Sequence, residues 1–194
     1  MENENRNEVL ITYTTDVHAL VSHGVHAIRR QVEQLKDVSH EDAKTAVAWF
    51  AQTLTEQQSL LAQRIKELGG STTGPVKDAV SAVAGVAAGL VDAVRPAGTA
   101  KAIRDDHTYF NQLAISWLML YTTATSLSDP ETAALAQRGY GETTQLIMHT
   151  DRILPKIVVE ELRENRLLLP IDAQESTRRM MKSAWDRTAP PSSI

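Results

Sequence analysis

Side chains that can bind a divalent cation recur along this sequence, but their spacing does not build a shared site. They are acids and histidines in stretches expected to be helical: His18, His23, His26, Glu56, Asp106, His107, Glu142 and His149. Glu142 and His149 are two helical turns apart, about 10 Å, which is too far to chelate one ion. The residues one turn after Glu56 are Ser59 and Leu60, poor ligands for a hard cation. The residues therefore predict no metal site.

Motifs for other chemistry are missing from the sequence. There is no P-loop, no dinucleotide-binding glycine motif after a strand, no H-E-x-x-H and no G-x-S-x-G. The chain has no cysteine, which excludes thiolate metal sites and cysteine nucleophiles. Adjacent acids such as Glu160 and Glu161 are typical of solvated helix faces. We therefore predict no catalytic residue, no cofactor-binding residue, no cofactor and no enzymatic activity.

The composition is that of one globular domain. The chain has 194 residues, 42% of them hydrophobic, and its formal charge of −4 argues against nucleic-acid binding. The polar start from Met1 to Glu8 lacks the segments of a secretory signal, so we expect a cytoplasmic protein. The most apolar stretch, Ala82 to Val91, is much shorter than the roughly 20 residues of a membrane span, which disfavours membrane binding.

Apolar residues at helical spacing predict a first pair of long helices. The first helix carries Val21 and Ile28 on its buried face and ends near Lys36. Ser39 offers an N-cap for the second helix, which should end at Gly69. Because the connection is short, the two helices are predicted to form an antiparallel hairpin.

A second hairpin is predicted further along the chain. Its first helix buries Phe110 and Leu113, and the step from Asp129 to Pro130 ends that helix and caps the next. Pro155 lies inside the last helix and should bend it. Polar residues on the seams of three of the four helices are interpreted as hydrogen-bonded core layers: His18, Gln57, Thr143 and Thr150.

The predicted fold class is all-α. Residues 9–168 form a four-helix bundle of two antiparallel hairpins, joined by a long crossover over residues 71–104 that contains a short helix after Pro75. Residues 1–8 are expected to be flexible. Residues 169–194 form a C-terminal tail with a short amphipathic helix. That tail offers candidate contact residues for a partner protein: Arg178, Arg179, Met180, Met181 and Trp185.

Three segments in this order resemble the YciF-type ferritin-like proteins, a bacterial stress-associated family. They are Tyr13–Leu20, Arg64–Ser71 and Ser126–Ala133, and the resemblance covers about residues 9 to 165. It implies a ferritin-like four-helix bundle, often dimeric, with a two-metal carboxylate site between the helices.

The resemblance also implies where the metal ligands should stand. The glutamate of the first helix falls on Val21, that of the second near Thr53, and that of the third near Phe110 or Leu113. Glu142 matches the last carboxylate, and its expected histidine partner is replaced by Gln145. On this alignment most of the dimetal ligands are replaced.

Two functional hypotheses follow. The first is a non-catalytic, metal-free ferritin-like bundle that acts as a structural, self-assembling or protein-interaction module, with another copy of itself as the expected partner and the tail as a contact. The alternative is a residual di-iron or manganese protein with ferroxidase or peroxide-consuming activity, using Glu142, His149, His18 and Glu56 in an unorthodox arrangement.

Overall fold

The computed structural model describes residues 2–72, 98–167, 169 and 173–187, and these residues form five α-helices. Four are long: α1 (Glu2–Gln34), α2 (Glu41–Glu67), α3 (Thr99–Ser126) and α4 (Pro130–Glu164). The short α5 (Ala173–Arg187) follows and packs against α4. There is no strand within the described ranges. The all-α prediction is confirmed.

The four long helices form a bundle of two antiparallel hairpins, α1–α2 and α3–α4. The hairpins meet in two places: α1 packs against α3, where the Tyr109 hydroxyl donates to Leu20 O at 3.1 Å, and α2 packs against α4, where Gln57 contacts Gly139. The end of α2 lies beside the α3–α4 turn and the start of α3 lies beside the end of α4, so these two helix ends are at opposite ends of the bundle. The short helix expected after Pro75 lies outside the described residues.

Of the three helix caps predicted from the sequence, the structure contains two. The Asp129 carboxylate accepts from Thr132 N at 2.9 Å and caps α4. Gly69 has a φ of +88°, and Gly70 N donates to Ile65 O at 2.8 Å, which closes α2. The cap expected from Ser39 is wrong, because its hydroxyl donates to Glu164 instead.

The first helix is longer than the sequence predicts. α1 begins at Glu2, so residues expected to be flexible form its first turns. Arg6 anchors them, since its Nε donates to Leu127 O at 2.6 Å and its Nη2 donates to Ser128 O at 2.9 Å. A pattern of apolar residues cannot reveal an anchor of this kind, because it depends on a polar side chain that reaches a distant turn.

Aromatic rings from α3 fill the middle of the bundle and require glycine on the neighbouring helices. A Cβ on Gly24 would lie 2.1 Å from the Tyr109 hydroxyl oxygen, and a Cβ on Gly139 would lie 2.4 Å from the Trp117 ring. Both rings are buried. The large rings of α3 thus pack directly against the glycine backbone of α1 and α4. Because these glycines have no side chain, the helices can approach closely.

The predicted polar core layers are present on α2 and α4. Gln57, Thr143 and Thr150 are buried, and the Gln57 amide nitrogen lies 3.5 Å from the Thr143 hydroxyl. The Thr150 hydroxyl donates to Leu146 O within its own helix. Pro155 lies within α4 as expected. No helix of the described chain is long and apolar enough to cross a membrane.

Candidate functional site

The centre of the bundle, where a dimetal site would need carboxylates, is apolar. Val21, Phe110 and Leu113 are completely buried in one hydrophobic cluster. The Phe50 and Phe110 rings meet edge to face with centroids 5.0 Å apart. Thr53 is also buried. Among the described residues no group of three or more His, Asp or Glu could hold a metal ion, so the residues present do not fit a resident two-metal centre.

Glu142, the carboxylate that matches the resembled family, lies at the contact of α2 with α4. Its Oε2 accepts from Gln57 Nε2 at 3.1 Å, and its Oε1 accepts from Arg138 Nε at 2.6 Å. Glu56 on α2 reaches the same guanidinium, with Oε2 4.0 Å from Arg138 Nη2. The hydrogen bond to Glu142 raises the pKa of Arg138. Arg138 therefore supplies the positive charge between two glutamates of facing helices.

The two histidines of the alternative hypothesis are half-buried and favour the neutral form. Burial lowers the pKa of His18, and burial together with the nearby Arg152 lowers that of His149. The His149 ring packs edge-on against Trp49, with centroids 5.2 Å apart. The structure does not gather His18, His149, Glu56 and Glu142 into one ligand set.

Arg64 forms a buried charge cluster that the sequence analysis missed. Its Nη2 donates to both carboxylate oxygens of Asp129 at 2.9 Å, its Nε donates to Thr132 Oγ1 at 2.8 Å, and its Nη1 reaches Glu131 and Glu67. Burial acts to raise the pKa of Asp129, but the bonds from Thr132 and Arg64 outweigh it and hold the pKa low. The available signal was the position of Arg64 on the buried seam, seven residues after Gln57.

Asp106 is a second buried charge, and it lacks such a partner. Burial is the main cause that raises the pKa of Asp106 to about 7. The negative charge of Asp105 raises this pKa a little further, and the nearby Gln31 side chain lowers it in part. Its Oδ2 makes no hydrogen bond, and neither does the buried Gln31 Nε2. The acid titrates close to neutral pH because the apolar surroundings penalise its charged form.

His40 joins the α1–α2 turn to the end of α4. Its ring is buried; Nδ1 lies 3.0 Å from Glu160 Oε2, and Nε2 lies 3.7 Å from Glu164 Oε2. Lys156 pairs with Asp42 at 2.5 Å beside them. These contacts tie the start of α2 to the end of α4.

A shallow pocket of about 530 Å³ opens between α2 and α4. Its lining is Leu60, Gln63, Arg64, Glu67, Glu131 and Leu135. The charged residues of this lining pair with one another through Arg64, and because one arginine faces both Glu67 and Glu131 the lining is negative overall and offers no free cation to a ligand.

The residues predicted to contact a partner all lie on α5. Met180 and Trp185 are 60% and 71% exposed, Met181 is partly buried, and Arg178 Nη1 lies 4.0 Å from Glu175 Oε2. Arg179 is also exposed. Residues 173–187 of the tail form an amphipathic helix, as expected, and the role of the tail in binding a partner stays a prediction.

Solved structures share this arrangement of helices, although no protein-family model and no curated protein matches the sequence. The chain is 18% identical to the bacterioferritin of Desulfovibrio desulfuricans, with a TM-score of 0.67 and a match that covers 81% of this chain and 84% of that one. It is 19% identical to an archaeal Dps homologue from Halobacterium salinarum, with a TM-score of 0.67 over 77% and 81% of the two chains. The fold is therefore the ferritin-like four-helix bundle.

These similarities correct the prediction of no enzymatic activity and support only part of the first functional hypothesis. The prediction that the protein is not an enzyme is wrong, because the bacterioferritin with this fold has a diiron site that was captured in different catalytic states. The ferritin-like part of the first hypothesis is confirmed, whereas its non-catalytic part is less well supported than the alternative. The narrower resemblance to YciF-type proteins stays a prediction.

Proposed function

We propose that the protein takes ferrous ions as a substrate and promotes their oxidation, and that it works as a homo-oligomer. The observation that carries this proposal is the match over 81% of the chain to a bacterioferritin with a catalytic diiron site. Fold similarity alone is an analogy, so the activity needs a direct test.

Glu56 and Glu142 are the groups that we propose for receiving the ion. They lie on facing helices, and both approach Arg138, so two negative charges already share one cation. Carboxylate oxygens suit a hard ferrous ion, and an ion that displaces Arg138 would meet both of them. Arg138 would compete with the ion for the two carboxylates and so weaken its binding. Two ferrous ions would each give one electron to a dioxygen molecule, which takes up two protons from water and leaves as hydrogen peroxide, while the two ions become ferric.

The test measures oxygen consumption and bound iron after anaerobic ferrous loading of the full chain, followed by exposure to air. We expect oxidation faster than in buffer alone. Glu142→Gln should lower both the rate and the bound iron, and Arg138→Ala should raise the bound iron because it removes the competing cation. Glu175→Gln, an exposed glutamate on α5, is the matched control and should change neither quantity.

Two results would contradict the proposal. Oxidation no faster than in buffer would refute the activity. Unchanged bound iron in Glu142→Gln would refute the assignment of the site while leaving the activity standing.

A further inference from the structure

The outward face of α3 is apolar and has no charge. Ile115, Leu118 and Met119 are 58%, 46% and 52% exposed, and their spacing of three and four residues puts them on one side of the helix. From Thr108 to Ser128 the chain has 21 residues without a single Asp, Glu, Lys or Arg. An exposed helix surface normally carries charged residues, so this face is unusual for a surface in contact with water.

The apolar surface continues onto α4. Trp117 packs on Gly139, which brings the neighbouring turns of the two helices to the same level. At that level Tyr121 and Tyr140 are 38% and 39% exposed, and Met148 further along α4 is 55% exposed. We call this surface the α3–α4 face: Ile115, Leu118, Met119, Tyr121, Tyr140 and Met148.

Within the described ranges, the other hairpin has no comparable surface. Among the large hydrophobic residues of α1 and α2, Trp49 is exposed at 38%, and its ring packs against His149. The exposed residues of α1 include Glu8, Thr12, His26 and Arg29. Of the residues that the structure describes, those exposed on α1 are mostly polar, whereas those exposed on α3 include a cluster of large apolar side chains.

We propose that the α3–α4 face is the interface with a second copy of this chain. The uncharged stretch spans about 32 Å at 1.5 Å per residue, and a face two helices wide offers on the order of 600 Å² per subunit. Stable interfaces bury about 800 Å² per partner, so the face is large enough to form most of one.

Charge and composition favour a copy of the chain over a different partner. A two-fold pairing brings each face against itself, and a face without charges meets no like charge when it does so. Aromatic residues and methionine are enriched in interfaces, and homodimer interfaces are more apolar than the interfaces of transient partners. This inference deepens the proposed self-association and does not depend on the iron chemistry.

The first test is the mass of the full chain in solution, measured by light scattering over a range of concentrations. Leu118→Glu and Ile115→Glu are compared with Met180→Glu, which makes the same change at an equally exposed residue of α5. We expect dimers or larger oligomers for the wild type and Met180→Glu. Each α3 variant should dissociate about thirty-fold or more readily, because a carboxylate would be buried in the interface. Helix content by circular dichroism establishes that the variants are folded.

Three outcomes separate the proposals. A wild type that is monomeric at all concentrations overturns both the self-association and this interface. Unchanged oligomers in both α3 variants overturn the interface alone. Dissociation of Met180→Glu in place of the α3 variants moves the contact to the tail.

A second measurement needs no disruptive change. Because the chain has no cysteine, a single Thr122→Cys adds the only thiol, one turn from Leu118 on the same outward side. A bifunctional thiol reagent should link two chains of this variant efficiently. Glu33→Cys, on the exposed side of α1, is the control and should link poorly; equal linking of the two variants overturns the interface.

Discussion

Buried charges are paired at one end of the bundle and unpaired toward the other. At one end, which we call the Arg64 end, the last turn of α2 meets the α3–α4 turn, and Arg64 and Asp129 are buried together with two hydrogen bonds at 2.9 Å. At the other, the His40 end, the α1–α2 turn meets the end of α4 through partly exposed glutamates. Asp106, two turns into α3, lies toward that end without a charged partner.

The difference shows that burial by itself does not make a charge stabilising. Arg64 and Asp129 satisfy each other, so removing one leaves the other buried and unpaired. Asp106 has lost its contact with water and has gained no cation, so its charged form opposes folding. The ion pairs around His40 retain solvent, which weakens each of them.

The largest effect is expected from breaking the Arg64 cluster. Arg64→Ala should lower the free energy of unfolding by about 3–5 kcal/mol, because Asp129 stays buried without its partner. Urea unfolding at pH 7 measures this change. Arg104→Ala, at an arginine exposed on α3, is the matched control and should cost less than about 0.5 kcal/mol. Similar losses in the two variants would show that the cluster is no stronger than a surface pair.

The next effect concerns the pH dependence that Asp106 imposes. Its pKa is near 7 in the folded protein and near 3.8 when unfolded, so the unfolded state loses the proton first as pH rises. Stability from this group is therefore complete below about pH 4 and is lost as pH rises to about 7.

Asp106→Asn removes this titration while keeping the shape of the side chain. Measured by urea unfolding, the stability of the variant relative to wild type should rise by roughly 2–3 kcal/mol between pH 5 and pH 8. Asp105→Asn, at the neighbouring and more exposed acid, should show little of this trend. A difference between variant and wild type that stays constant with pH would mean that Asp106 titrates normally.

The smallest effect is expected at the His40 end. His40→Ala removes a buried ring with one 3.0 Å contact to Glu160, and we expect a loss of about 1–2 kcal/mol in the free energy of unfolding. Lys156→Ala, which removes a more exposed ion pair, should cost less than about 1 kcal/mol. A loss in His40→Ala as large as that in Arg64→Ala would abolish the contrast between the two ends.

Much of the fold could be predicted because its signals are local. The apolar spacing around Val21 and Phe110 defines the buried faces, and the sequence around Asp129 and Gly69 contains caps that act within a few residues. The length of α1 could not be predicted, because Arg6 finds its acceptors more than 120 residues away. The failed cap at Ser39 has the same cause, since Glu164 at the far end of α4 takes its hydroxyl.

The candidate site was harder to predict. The alternative hypothesis groups Glu56 and Glu142 with two histidines, but only the packing of α2 on α4 shows that the two glutamates share Arg138. The prediction of no enzymatic activity rested on missing motifs, whereas the similarity to the bacterioferritin is a similarity of fold at 18% identity. The apolar side of the bundle likewise appeared only once the orientation of α3 was known.

The close contact of Trp117 with Gly139 has a consequence for how this protein can evolve. The ring occupies the space that any side chain at position 139 would need, so residue 139 cannot gain a side chain unless residue 117 becomes smaller. In sequences that descend from a common ancestor with this chain, a larger residue at position 139 should occur together with a smaller one at position 117. The same pairing should link positions 24 and 109, so that each ring of α3 is inherited together with its glycine.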